Sequence, residues 1–142
     1  MFEIVSYRPE HLAAIRLQQA QAMMADVLGD EATAVAIAGP WTFTGVLDGV
    51  PVAVAGLSEK WKGVGTTWAL FSPGLPMSAW LAILRKSRGV LASCGMHRIE
   101  AVVREDHVQG HRWALALGFA PSALMRKWGP DGMDYRMYEA VR

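Results

Sequence analysis

Between Gly63 and Leu84 the chain carries no charged side chain, and Pro73, Gly74 and Pro76 fall in the middle of that stretch. An unbroken apolar run of this length reads as a membrane span, but proline removes a backbone donor and interrupts a helix. The stretch therefore reads as two short buried elements joined by a turn, and both must be covered by the rest of the chain. The 142 residues suffice for one domain, 1–142, that buries roughly two-thirds of its unfolded surface. At 52% hydrophobic and 19% charged, the chain is too apolar for a disordered segment. Its mean hydropathy of +0.18 leaves an apolar surface for self-association open.

The apolar run Phe2 to Ser6 reads as a strand, and Arg8-Pro9-Glu10 as a helix start with proline in the first turn. Ala13, Leu17, Ala20, Met24 and Val27 then share one face of a helix that Gly29 ends. Asp30 can cap a short second helix through Ala38, stopped by Gly39-Pro40. Three strands follow, Trp41 to Leu47, Val52 to Leu57 and Val64 to Ser72. Asp48-Gly49 makes a hairpin that Pro51 should loosen. Ser78 can cap a helix with Trp80, Leu84, Ser87, Leu91 and Cys94 on one face, ended by Gly95. Ile99 to Val103 alternates as a strand, Val108 to Leu117 is helical, and Ala120 to Trp128 pairs with Met133 to Val141. The order β-α-α-β-β-β-α-β-α-β-β is an α+β arrangement: a mixed, mostly antiparallel α/β sheet with helices on its faces.

Fourteen basic against thirteen acidic residues give a net charge of +1, too little excess for a phosphate-backbone binder, so no nucleic acid partner is expected. The single cysteine, Cys94, rules out an internal disulfide and suits a reducing compartment, here read as cytoplasmic. Glu3 interrupts the first apolar residues, and no secretory signal or membrane span is expected.

Three local patterns, in this order, resemble the GCN5-related N-acetyltransferase (GNAT) superfamily across nearly the whole chain. Asp48 to Gly56 is similar to the family's second hairpin. Ile99-x-Ala101-x-Val103 is followed by His107 where the family usually has Asn, and the last helix runs into Leu117-Gly118-Phe119. The resemblance implies an acetyl-CoA-dependent N-acetyltransferase in which a small-molecule or protein amine attacks the thioester directly. It also implies a cofactor slot between the fourth and fifth strands, with backbone groups near Leu70, Phe71 and Ser72 holding the pantetheine arm.

The chain departs from the family at the chemistry. In place of R/Q-x-x-G-x-G/A it has Ser72-Pro73-Gly74-Leu75-Pro76-Met77-Ser78. Gly74, Met77, Ser78 and Ala79 are left as N–H donors to a pyrophosphate, with a plain helix start as the alternative. The family's acid Tyr falls at Ala114, which carries no proton. His107 and His111 share a helix face and can act near neutral pH, with capping or solvent contact as their ordinary role. Glu59, Glu100 and Glu105 are the nearby carboxylates. Tyr135 and Tyr138 are substitutes for the missing Tyr, with sheet packing as their ordinary role. The catalytic candidates are thus His107, His111 and Glu105. The histidine pair also has the i, i+4 spacing of a helical metal site, but no third ligand accompanies it and no metal is expected. The tryptophans Trp41, Trp61, Trp68, Trp80, Trp113 and Trp128 can line a cleft or simply pack. Arg85, Lys86 and Arg88 can meet a phosphate or form a solvated face.

These departures resemble a divergent branch encoded by tailed phages and prophages, some of whose members are virion-associated. Ser78-Ala79-Trp80-Leu81 with Arg85-Lys86-Ser87-Arg88, and Trp113 four residues before Leu117, carry that likeness. It implies an alternative: a catalytically inactive structural or assembly protein whose partners are its own copies or other virion chains.

Overall fold

The computed structural model describes residues 1–142, with the side chains of Met23 and Val27 outside the described set. After β1 (Phe2–Ser6) come α1 (Pro9–Ala14), a 3-10 helix (Gln19–Met24), α2 (Ala25–Leu28) and α3 (Glu31–Ala36). β2 (Phe43–Leu47), β3 (Val50–Trp61) and β4 (Val64–Phe71) form an antiparallel meander. α4 (Met77–Ser93) then crosses to β5 (Arg98–Arg104), which lies parallel to β4. α5 (Val108–Ala116) leads to the hairpin β6 (Ala120–Met125) and β7 (Tyr135–Val141). The strands form one sheet in the order β1-β2-β3-β4-β5-β7-β6, the mixed sheet expected from the sequence. Among the described residues no helix is long and apolar enough to cross a membrane: the charge-free stretch is β4 and the start of α4, joined by a turn at Gly74.

α4 presents Ala79, Ile83, Ser87 and Leu91 inward. Around α4 and α5 one face of the sheet buries two groups, one holding Leu57, Leu91, Ile99 and Phe119, the other Phe43, Ala53, Ala55, Phe71 and Ile83. α1 and α3 cover the opposite face through Leu12, Ala34 and Leu70. Each such large side chain contributes about 1.5–3 kcal/mol on burial.

Four local expectations are corrected. The long helix after Pro9 is broken, with extended backbone at Ile15 (ψ 130) and Gln18 (ψ 153). The reason is tertiary: Gln18 N–H donates to Phe71 O at 3.1 Å, a partner that helix propensity does not count. Leu17 and Met24 still pack on the Leu12 cluster, while the Val27 side chain, expected on the same face, lies outside the described residues. The first hairpin is tight, not loose. Asp48 (φ 51) and Gly49 (φ 81) both take left-handed backbone, as the primed turns of two-residue hairpins require. Pro51 is accommodated by a register shift between Gly45 and Val46. The last hairpin has a longer loop than expected. Asp131 and Asp134 carboxylates accept the N–H groups of Met133 (3.0 Å) and Lys127 (2.9 Å), so strand pairing ends at Met125 and Tyr135. At α4 the flanking residue is Pro76, and Ser78 lies inside the first turn.

His11 is a buried polar side chain on α1. Its Nδ1 accepts the Arg8 N–H at 3.2 Å and lies 2.8 Å from the hydroxyl of Thr44, itself fully buried. A backbone donor aimed at Nδ1 requires that nitrogen to be unprotonated, so the Thr44 hydroxyl donates as well. Burial first, then the nearby Arg8 charge, pushes the His11 pKa down, against a smaller pull from Glu10. A depressed histidine stabilises the fold above its unfolded pKa, and that stability is lost as pH falls from about 6.5 toward the folded value. The thermal midpoint is therefore expected to drop between pH 7.5 and 5.5, and to drop less in His11→Gln. An equal drop in both proteins would refute this role.

Candidate active site

β4 and β5 pair only over Val64–Thr66 and Arg98–Glu100. Beyond that point β4 stays bonded to β3 and β5 to β7, so the two facing edges diverge around a cavity of about 110 Å³. Thr67, Trp68, Ala69 and Phe71 line it from β4, and Ala101 to Arg104 from β5. Backbone groups of β4 facing this slot meet no strand. Ser72, by contrast, turns its N–H to Val52 O at 2.8 Å, on the β3 side.

Among the described residues, one side chain hydrogen-bonds to the slot edge of β4. The Gln21 amide donates to Ala69 O at 2.7 Å and accepts from Phe71 N–H at 3.1 Å. Gln18 N–H takes the adjacent Phe71 O. No local signal in the sequence marks either glutamine, because their partners lie about fifty residues away (|i−j| 48 and 50 for the Gln21 bonds). The Phe71 ring sits 4.5 Å from Trp80 and 5.2 Å from Trp113, centroid to centroid, forming an aromatic wall of the cavity. Leu70 points to the other face, into the Leu12 cluster.

At the N-terminus of α4, Ala79 and Trp80 N–H both go to Pro76 O, at 3.0 and 3.2 Å. Ala79 is fully buried and its donor is committed. Gly74, Met77 and Ser78 N–H have no backbone partner among the described residues. They are carried by a loop in which Gly74 adopts φ +80 and by the positive end of a helix. Arg88 is engaged elsewhere, donating to Ala116 O at 2.9 and 2.5 Å. Arg85 and Lys86 line a separate open groove with Phe2 and Trp41.

The titratable candidates are not brought together. His107 lines the cavity, half-buried just before α5, and no hydrogen bond engages its ring among the described residues. Gly110 makes room for that ring: a Cβ there would lie 2.7 Å from His107 Nδ1 and 2.6 Å from Val103 Cγ1. Burial above all, with Arg104 and His111 adding, pushes the His107 pKa down against a weaker pull from Asp106. The ring is therefore a neutral imidazole near pH 7. His111 faces away from the cavity and both its nitrogens are occupied. Nε2 lies 2.8 Å from Glu105 O and Nδ1 2.8 Å from Tyr138 Oη. A carbonyl only accepts, so Nε2 carries the proton and the Tyr138 hydroxyl donates to Nδ1. Glu105 is exposed and held by Arg136 through two bonds, at 2.9 and 3.0 Å. The Arg136 hydrogen bonds lower its pKa. Glu100 is held by Lys60 and Arg98, and Glu59 accepts Gly63 N–H. Arg104, on the cavity wall, pairs with Asp106 at 2.7 Å and Asp131 at 3.6 Å. Tyr135 also lines the cavity, with its hydroxyl 3.4 Å from Asp131 Oδ2. Burial, then the Asp131 charge, raises its pKa, so it keeps its proton. Ala114 stands on the same wall. Among the described residues no group of three or more His, Cys, Asp or Glu is placed to hold a metal ion.

No protein-family model and no curated protein matches the chain. Solved structures do. yncA of Salmonella typhimurium, assigned as an acetyltransferase and solved with its cofactor acetyl-CoA, aligns with a TM-score of 0.72 at 14% identity, over 99% of this chain and 93% of that one. A GNAT-family acetyltransferase from Bacillus anthracis gives 0.70 at 14% identity, over 99% and 94%. An N-acetyltransferase from Staphylococcus aureus Mu50 gives 0.71 at 11% identity, over 99% and 97%. This chain has the GNAT fold. At such identities the likeness carries the architecture, and the chemistry must be argued from the site. Within the GNAT fold, the slot between the diverging strands combines a titratable wall with backbone groups that no strand pairs.

Proposed function

We propose that this chain transfers an acetyl group from acetyl-CoA to an amine. The observation that carries this reading is the β4 edge, free of strand partners and facing a slot close to the N-terminus of α4. The donor set fits the cofactor in type. Phe71 N–H and Ala69 O would hold an amide-bearing arm, and Gly74, Met77 and Ser78 N–H would hold a pyrophosphate. When bound, acetyl-CoA supplies an acetyl group activated as a thioester.

The residues of the chain supply positioning and proton transfer. Holding the reactants along a fixed strand edge removes most of the entropic barrier to their encounter. An attacking amine must release a proton, and the unengaged, neutral His107 is the acceptor on the cavity wall. Tyr135, which keeps its proton, would donate it to the thiolate that departs as the C–N bond forms and the thioester C–S bond breaks, in place of the absent family Tyr at Ala114. His111 and Glu105 position this region from outside the cavity. We assign the acceptor to small-molecule or protein amines, and the location to the cytoplasm on the strength of the lone, half-buried Cys94.

A second reading, a catalytically silent chain that binds its own copies or phage virion partners, is favoured by one observation: Gln21 already satisfies the β4 edge. A thermal-shift titration separates the two. Acetyl-CoA at a hundredfold excess over Kd is expected to add about 2.7 kcal/mol of stability, with ATP as a control that gives no comparable rise. No shift at millimolar acetyl-CoA would overturn the enzyme reading.

A further inference from the structure

We propose that Gln21 is a built-in stand-in for the cofactor's amide arm, so that the arm enters only when the Gln18–Gln21 segment lets go of β4. This inference rests on the acetyl-CoA reading. A primary amide offers one N–H donor and one C=O acceptor on neighbouring atoms, the same pair that a secondary amide lying along a strand edge presents. The Gln21 amide uses both, on Ala69 O at 2.7 Å and Phe71 N at 3.1 Å. Gln18 N–H closes the next group, Phe71 O, at 3.1 Å. These β4 groups cannot bond the segment and an incoming arm along the same edge at once.

The segment is built to be released. It follows two breaks in the helical path, with extended backbone at Ile15 and Gln18, and opens a 3-10 helix, a geometry that keeps helical turns short. Gln18, Ala20 and Gln21 all line the cavity, so their departure enlarges the space that the arm fills. Release also uncovers the Phe71 edge beside Trp80 and Trp113 without disturbing that packing. Cofactor binding and the order of the N-terminal helical region are thereby coupled, because both draw on the same backbone groups.

Two variants test this. Gln21→Ala removes the stand-in amide. Gln18→Pro removes the N–H together with the cavity-lining glutamine side chain, and keeps the backbone path, since Gln18 already has φ −63, which a proline ring accepts. Each is expected to bind acetyl-CoA roughly two- to tenfold more tightly than wild type by isothermal titration, the range of one competing hydrogen bond. Affinity for 3′,5′-ADP, which lacks the arm, should stay unchanged. In wild type, hydrogen exchange over residues 15–28 should speed up on adding acetyl-CoA and not on adding 3′,5′-ADP. Equal or weaker acetyl-CoA binding by both folded variants, with residues 15–28 more protected in the complex, overturns this proposal alone. Failure of wild type and variants alike to bind acetyl-CoA overturns it together with the reading beneath it.

Discussion

His107→Gln is expected to lower the rate of acetyl transfer by about a hundredfold or more, the usual range for loss of a positioned proton acceptor. It should do so while leaving the thermal midpoint near that of wild type above pH 7. Glutamine keeps a polar side chain of similar reach but takes no proton. The pH dependence gives the more specific signature. Burial first, then the Arg104 charge and the neighbouring His111 ring, holds the His107 pKa below its ordinary 6.5. The wild-type rate should therefore fall on the acid side, with a midpoint under pH 6.5, and be flat through neutrality. In His107→Gln that acid limb should be missing. A variant that retains the limb would transfer the role to another group, and Tyr135→Phe then becomes the informative comparison, since its ring stays and only the hydroxyl bonded to Asp131 is lost.

Phe71→Ala is expected to destabilise the fold by about 3–5 kcal/mol, read as a lower urea midpoint with little change in slope. Phe71 is only 5% exposed. It joins Phe43, Ala53, Ala55 and Ile83 in the core and contacts both cavity tryptophans. Truncation leaves a void between the sheet and two helices that the rigid strand pairing with β3 cannot close. Trp61→Ala provides the contrast. That side chain is larger, but at 67% exposure its removal should change stability by no more than about 0.5 kcal/mol. Similar losses in the two variants would mean that the aromatic wall is not part of the core.

The fold was legible because its strongest signals are local. Asp48-Gly49 and Gly95 demand left-handed backbone, and the strand periodicities and the Leu117-Gly118-Phe119 helix end leave few ways to order the elements. What proved less legible follows from long-range competition. The periodicity from Ala13 to Met24 is genuinely helical, yet Phe71 O draws Gln18 out of the helix. Pro51 predicts a loosened Asp48-Gly49 hairpin, whereas the turn stays tight and the register shifts at Gly45 and Val46. For the site, spacing placed His107 and His111 on one helix face but could not show which one faces the cavity. That depends on Glu105 O and Tyr138, which reach His111 from other elements. Glu105 was a candidate because it follows a strand, and its neutralising partner Arg136 lies on β7, far along the chain. Gln21 carried no signal at all, since a glutamine on the polar side of a helix is the commonest thing a sequence can offer.

The measurement that tests the central claim most directly is an amide-resolved NMR titration of the 15.5 kDa chain with acetyl-CoA. The account predicts saturable shifts centred on the Phe71 N–H, which faces the slot, and on Gly74, Met77 and Ser78 at the start of α4. Shifts confined to the open groove around Trp41, Arg85 and Lys86, or none at millimolar acetyl-CoA, would contradict it.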